Sequence, residues 1–138
     1  MIVSVNGAEL FYAKHGQGPA CLVLSGMGAR PYERLTAALR SHMSVVHVDL
    51  RGSGLSTGQP TDLSFDVLAD DLEAIRAELG VDRIGVLGHS ILGMLAIEYG
   101  RRRPDNVSHV IVAGTPPRGD MTWVTARATT FFEENASD

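Results

Sequence analysis

Short apolar runs alternate with helical patterns along most of this 138-residue chain. Two extended segments joined by Asn6-Gly7 come first, and this turn sequence predicts a hairpin. The later apolar runs begin at Ala20, Ser44, Ile84 and Val107. Glycine-containing loops and amphipathic stretches separate these runs, which predicts an α/β fold with a mainly parallel sheet and helices on both faces. The loops at the carboxyl ends of the strands should then meet in one crevice.

The amino-acid composition of the chain favours some classes of function over others. Hydrophobic residues make up 44% of the chain and the formal net charge is −4, which favours a folded core and indicates no nucleic-acid partner. Apolar stretches stay short of a membrane span and the start of the chain lacks a secretory signal, so we expect a cytoplasmic protein with no membrane partner. The single cysteine, Cys21, lies in an apolar run and is expected to be a buried thiol. The arginines at 101–103 fall at a predicted helix end, where cations are favoured by the dipole.

The segment 86–93 contains the sequence pattern that most clearly indicates a function. An apolar run stops at Gly88, Ser90 follows two residues later, and a helical pattern begins at once. This order predicts a strand, a sharp turn and a helix, with the Ser90 hydroxyl at the tip of the turn and small residues, Gly88 and Gly93, beside it. The alternative is that Ser90 simply caps a helix that follows a buried strand.

Three segments, in order along the chain, resemble the N-terminal half of α/β-hydrolase-fold proteins of the serine-nucleophile branch. Gly88-His89-Ser90 resembles the nucleophile elbow, although the motif Gly-x-Ser-x-Gly has Leu92 at its last position and its glycine comes one residue later. Residues 49–56 resemble the Asp-x-Arg-Gly-x-Gly-x-Ser loop, and residues 103–107 resemble the Tyr-Pro-x-x-Val segment with arginine in place of tyrosine. The resemblance implies that residues 1–120 form the N-terminal part of the core, truncated before the last strands. Residues 121–138 follow the Pro116-Pro117 break and are expected to begin a lid or cap helix, and the alternative is a core helix.

The resemblance also implies roles for individual residues. Ser90 would be the nucleophile, and the backbone N–H groups of Met27 and Ile91 would form the oxyanion hole. The supporting loops would contain Ser25, Gly26, Gly88, His89 and Gly93. The reaction implied is acyl transfer to water on a small ester- or amide-like substrate, with no cofactor and no metal. Residues 49–56 are themselves expected to be scaffold, in which Asp49 and Arg51 bind backbone groups or each other.

The proton acceptor that a serine hydroxyl needs is not apparent in this chain. In the family the acid and the histidine follow the serine, whereas the only histidine after Ser90 is His109, at the start of a strand and away from the crevice. His89 adjoins Ser90 and points elsewhere, His47 is expected to be a core or sheet-face residue, and Asp120 is a weak candidate for the acid. The isolated chain should therefore have little hydrolase activity.

Two other functions remain compatible with the same residues. The chain can be a non-catalytic or truncated hydrolase-like binding protein, or part of a cofactor-free haloperoxidase or a C–C-bond hydrolase. Strand 107–113 is apolar and contains no lysine or proline that would block pairing. We therefore expect it to pair with a complementary C-terminal segment or to self-associate, in addition to binding a small-molecule substrate.

Overall fold

A computed structural model describes residues 1–26, 32–58 and 63–115. These ranges form an α/β fold with one mainly parallel sheet, as the alternation predicts. The strands are β1 (Ile2–Val5), β2 (Ala8–His15), β3 (Ala20–Ser25), β4 (Ser44–Asp49), β5 (Ile84–His89) and β6 (Val107–Ala113). The helices are α1 (Glu33–Leu39), α2 (Phe65–Glu78) and α3 (Leu92–Arg102).

The sheet has the order β1-β2-β4-β3-β5-β6. Strand β2 pairs antiparallel with both β1 and β4, and β3 to β6 run parallel. The predicted hairpin is confirmed, because Asn6 (φ 43°) and Gly7 (φ 76°) both adopt the left-handed conformation that a tight two-residue turn requires. The carboxyl ends of the four parallel strands lie at one edge of the sheet, where the predicted loops begin.

Alternating side chains of the central strands fill two core layers. On one face, Leu22 and Leu24 of β3 lie in a large cluster with residues of α2 and α3; on the other face, Cys21 and Val23 pack towards α1. The helices therefore cover both faces of the sheet, as predicted. Cys21 is a free, buried thiol, and burial raises its pKa to about 11.

Helix α2 begins after a capping serine and ends before a glycine. The Ser64 hydroxyl accepts a hydrogen bond from the Val67 N–H at 3.4 Å, and Gly80 after the helix has a φ of 66°. The apolar side chains Leu68, Leu72 and Ile75 of this helix are buried. None of the helices in the described ranges is long and apolar enough to cross a membrane.

The loop after β4 is held by backbone contacts, as predicted for Asp49 and Arg51. The Leu55 N–H donates to Asp49 Oδ2 at 3.0 Å, and Arg51 Nη1 donates to the Asn6 carbonyl at 3.2 Å. Arg51 also forms a two-point ion pair with Asp71, with Nε–Oδ2 at 2.9 Å and Nη2–Oδ1 at 2.6 Å. Asp71 is buried, and Arg51 compensates its charge.

The arginines at the end of α3 connect this helix to α2. Arg102 Nε lies 2.8 Å from Asp66 Oδ1, and Arg103 Nη2 lies 2.6 Å from Asp70 Oδ1. Two of the three arginines occupy the last turn of the helix, where the dipole favours them. Their carboxylate partners show that the basic block is a structural feature and not a free anion site.

Candidate active site

Ser90 occupies a strained turn between β5 and α3. Among the described residues other than glycine, only Asn6 and Ser90 have a positive φ, and that of Ser90 is 56°. The Ser90 N–H donates to the carbonyl of Ala113, the last residue of β6, at 2.8 Å, and the Gly93 N–H donates to the Ser90 carbonyl at 3.1 Å. A helix-capping serine would have an extended backbone, so the capping alternative is not what the chain adopts. The side chain of Ser90 is exposed at the edge of the sheet.

Glycines make this turn sterically possible. A Cβ at Gly88 would overlap the Leu92 carbonyl and would lie 2.7 Å from the Cα of Gly93. A Cβ at Gly93 would overlap the Thr115 side chain, with Thr115 Cβ and Cγ2 each at 2.9 Å. The strand, turn and helix therefore approach each other more closely than alanine allows at either position. The displaced glycine of the motif still has a steric role, although it lies one residue further along.

The first turn of α3 begins directly after Ser90. Ile91 precedes the helix with an αR backbone and is 46% exposed. The Gly93 and Met94 N–H groups donate to the Ser90 and Ile91 carbonyls, each at 3.1 Å, and this end of the helix carries the positive end of its dipole. Thr115 Oγ1, which lies against Gly93, is buried and has no hydrogen-bond partner among the described residues. This end of α3 can therefore stabilise negative charge that develops near Ser90.

The loop after β3 is described only at its start. Ser25 is fully buried, pairs in register with Asp49, and accepts the Leu50 N–H at 3.2 Å through its carbonyl. Gly26 follows it, whereas Met27 lies outside the described residues, so the second oxyanion donor remains a prediction. Asp120 and the expected lid at 121–138 also lie outside the described ranges.

Tyr32 is a neighbour of the site that the sequence did not indicate. Its hydroxyl lies 3.3 Å from His89 Nδ1, and the two rings meet edge to face with centroids 5.9 Å apart and planes at 71°. The contact spans 57 residues of sequence. Its only sequence signal is that Tyr32 comes directly after the glycine-rich loop. His89 itself is exposed.

The remaining histidines do not approach Ser90. His109 pairs in register with Gly85, whereas His89 pairs with Ala113, so His109 lies about 13 Å down the strand from the edge that carries the turn. His47 is buried in β4, as expected for a core residue, and its Nε2 lies 3.1 Å from Thr36 Oγ1. Burial, together with the charges of His15 and Arg40, lowers the pKa of His47. In the described ranges, no three His, Cys, Asp or Glu side chains are grouped so as to hold a metal ion.

Comparison with known proteins identifies the family of this chain. Residues 19–132 match the family model described as the alpha/beta hydrolase fold. The chain belongs to the α/β-hydrolase-fold family. Proline iminopeptidase PfmaB of Pestalotiopsis fici is 31% identical over 123 residues, which cover 83% of this chain and 43% of that protein. Pimeloyl-[acyl-carrier protein] methyl ester esterase of Chromobacterium violaceum is 34% identical over 129 residues, or 91% of this chain and 49% of that protein.

The fold comparison gives the same family. The structure of the epoxide hydrolase CorEH without ligand superposes with a TM-score of 0.81 at 25% identity, and the match covers 96% of this chain and 50% of that one. This α/β-hydrolase-fold chain therefore spans between 43% and 50% of the length of these three relatives.

Proposed function

We propose that this chain carries the nucleophile and the oxyanion donors of a serine hydrolase that acts on small ester- or amide-like substrates. The observation that carries the proposal is the strained backbone of Ser90, with φ 56°, between the end of β5 and the start of α3. Strain of this kind is maintained only where the surrounding structure over-determines it, and it clusters at functional sites. An esterase and a peptidase among the relatives make acyl transfer the favoured reaction class.

In this proposal each residue has a defined task. The Ser90 Oγ attacks the substrate carbonyl carbon, and the carbonyl oxygen becomes negatively charged as the tetrahedral intermediate forms. The Ile91 N–H, aligned with the dipole of α3, and the Met27 N–H donate to that oxygen. Ser25 and Gly26 support the loop that contains Met27, while Gly88, His89 and Gly93 support the turn. No cofactor takes part.

The proton of Ser90 must pass to a base as the carbon–oxygen bond forms. His109 lies far along β6, and the Nδ1 atom of His89 is engaged with Tyr32. We therefore propose that the catalytic histidine and its acid do not lie among the described residues. We expect this chain alone to be a poor catalyst. A missing general base reduces the rate by several orders of magnitude, and binding and oxyanion stabilisation account for the residual rate.

A thiol at position 90 tests the proposal without the missing base, because cysteine is intrinsically nucleophilic and partly ionised near neutral pH. The Ser90→Cys variant should be acylated by p-nitrophenyl acetate at position 90, observed by intact mass and release of p-nitrophenol. The matched control is Ser4→Cys, which places an exposed thiol on β1, the strand at the opposite edge of the sheet from β6.

The rates are compared per thiolate, after the pKa of each thiol is measured, so that only the environment differs. One oxyanion donor is worth about 100-fold or more in other hydrolases, so we expect acylation at position 90 to exceed that at position 4 by at least about tenfold. Equal rates per thiolate would contradict an oxyanion site at this turn.

Strand β6 supports a second part of the proposal, which concerns a partner. Among the described residues β6 pairs only with β5, and Val110, Ile111 and Val112 are 41%, 40% and 47% exposed. An apolar edge strand without lysine or proline is a template for pairing with another chain. We propose that a complementary C-terminal segment covers this edge, and that without it the chain self-associates through β6.

A further inference from the structure

The imidazole of His89 lies between two different elements beside Ser90. Its Nδ1 faces the hydroxyl of Tyr32 at 3.3 Å, just before α1. Its Nε2 faces the end of β6, where a Cβ built on Gly114 would lie 3.6 Å from this nitrogen. Gly114 has a φ of 58°, so a side chain is disfavoured there and the Nε2 edge of the ring stays uncovered by residue 114. The second nitrogen of the ring therefore lies beside the end of β6, at the edge of the sheet that carries the Ser90 turn.

Tyr32 is itself held firmly. Its carbonyl accepts a hydrogen bond from Thr36 Oγ1 at 2.8 Å, and Thr36 is fully buried. The ring of Tyr32 packs against the core layer that contains Cys21, Val23, Val45 and Leu87. These contacts hold the backbone and the ring of Tyr32 beside His89, with its hydroxyl 3.3 Å from His89 Nδ1.

We propose that Tyr32 is a positioning residue that donates its phenol O–H to His89 Nδ1 and thereby selects the tautomer of His89 with the proton on Nε2. The hydrogen bond made by one imidazole nitrogen determines which nitrogen carries the proton. His89 then directs an Nε2–H donor into the crevice, where it binds a carbonyl or carboxylate oxygen of the substrate, away from the reacting bond. This inference rests on the proposed function only in placing the substrate beside Ser90.

The tautomer is measured directly by nitrogen NMR of the ¹⁵N-labelled 138-residue chain, well above the ordinary histidine pKa of about 6.5. In the wild type, Nε2 should be protonated, and Nδ1 should be an unprotonated nitrogen shifted upfield by the hydrogen bond that it accepts. Tyr32→Phe keeps the ring contact and removes only the hydroxyl, so the Nδ1 resonance should move downfield. Tyr12→Phe, which removes a phenol hydroxyl from β2, is the matched control and should leave His89 unchanged. A proton on Nδ1 in the wild type, or no response to Tyr32→Phe, overturns the proposal.

The donor role is tested with acetate as the probe, because it supplies the carboxylate oxygen alone. Acetate, compared with chloride at equal ionic strength, should shift the His89 Nε2 and Ser90 amide resonances. The apparent affinity for acetate should fall about 3- to 10-fold in Tyr32→Phe, the equivalent of one neutral hydrogen bond. Shifts equal to those with chloride, or unchanged in Tyr32→Phe, overturn the donor role. Thioester formation at position 90 does not measure the tautomer, so failure of the proposed function and failure of this inference are distinguishable.

Discussion

Arg51 and Asp71 form a buried two-point ion pair that fastens the loop after β4 to helix α2. Their side chains are only 6% and 2% exposed. Burial raises the pKa of Asp71, and the hydrogen bonds from Arg51 act in the opposite direction. The loop of residues 49–56 is therefore held against α2 by a buried ion pair, which supports the prediction that this loop is scaffold.

Removing one member of this pair should be costly. Arg51→Met leaves the Asp71 carboxylate buried without its cation, and we expect the free energy of unfolding in urea to fall by about 3–5 kcal/mol. The double variant Arg51→Met/Asp71→Leu should recover most of that loss, since it removes both desolvated charges. Arg101→Met is the control, because Arg101 is 65% exposed and its pair with Glu98 should contribute about 1 kcal/mol or less. A double variant as unstable as the single one would show that the pair is not the cause.

Acid should destabilise the chain through His47. Thr36 Oγ1 donates to the Tyr32 carbonyl, so it accepts from the protonated Nε2 of His47, and His47 Nδ1 is buried with no hydrogen-bond partner among the described residues. Burial, His15 and Arg40 lower the pKa of His47 in the folded chain, while Glu33 and Asp49 oppose the shift. As the pH falls below the ordinary value of 6.5, the unfolded chain therefore binds a proton before the folded chain does.

The free energy of unfolding should be at its full value above pH 6.5 and should fall as the pH drops towards the lowered pKa of His47 in the folded chain. Below that folded pKa, His47 should cause no further loss of stability. His47→Gln keeps an N–H donor for Thr36 and cannot titrate, so its unfolding midpoint in urea should change less over this interval. Comparable stability of the two proteins at alkaline pH is the internal control. An identical pH dependence in both would rule out His47 as the titrating group.

Gly93, which follows Ser90, and Gly26, which follows β3, should respond differently to substitution by alanine. At Gly93, a methyl group would overlap the Thr115 side chain, so Gly93→Ala should lower stability by about 1–3 kcal/mol through overpacking. The added variant Thr115→Gly should restore part of the loss. At Gly26 a Cβ would meet no described heavy atom within 4 Å, so Gly26→Ala should change the unfolding free energy by about 0.5 kcal/mol or less. Equal effects at the two sites would contradict the steric account.

The exposed edge of β6 should control association. Purified chain should show self-associated species by light scattering, and Ile111→Lys should shift it towards monomer, because lysine on an edge strand blocks pairing. Leu55→Lys adds the same charge at a residue that is 69% exposed and lies off the strand, so it should leave association unchanged. A monodisperse wild-type monomer with cooperative unfolding would contradict an unsatisfied edge.

Hydrolase activity of the chain alone should be very low. We expect p-nitrophenyl acetate turnover near the buffer rate, with little difference between the wild type and Ser90→Ala, because His109 lies far along β6 and the Nδ1 of His89 contacts Tyr32. The measurement is p-nitrophenol release at several enzyme concentrations. Turnover well above buffer that is lost in Ser90→Ala would require a base within the described residues.

Local patterns were sufficient to predict most of the architecture. The strand Val107–Ala113 has the predicted bounds, and the elbow strand extends two residues beyond the predicted Ile84–Leu87. Apolar periodicity and glycine positions report such features because burial and turn geometry act on neighbouring residues. The partners of Asp71 and His89 could not be predicted, since Arg51 and Tyr32 lie 20 and 57 residues away in the sequence. Those contacts depend on how the helices and loops pack against the sheet.

The hydrogen bond from the Ser90 N–H to the Ala113 carbonyl links the turn to the last residue of β6. One side of this strand anchors the backbone of the proposed nucleophile, while its other side is the edge at which we expect a further chain to pair. Occupancy of that outer edge would restrict the motion of β6 and, through the Ala113 carbonyl, the backbone of Ser90. Assembly at the edge and the geometry of the Ser90 turn would then be thermodynamically coupled.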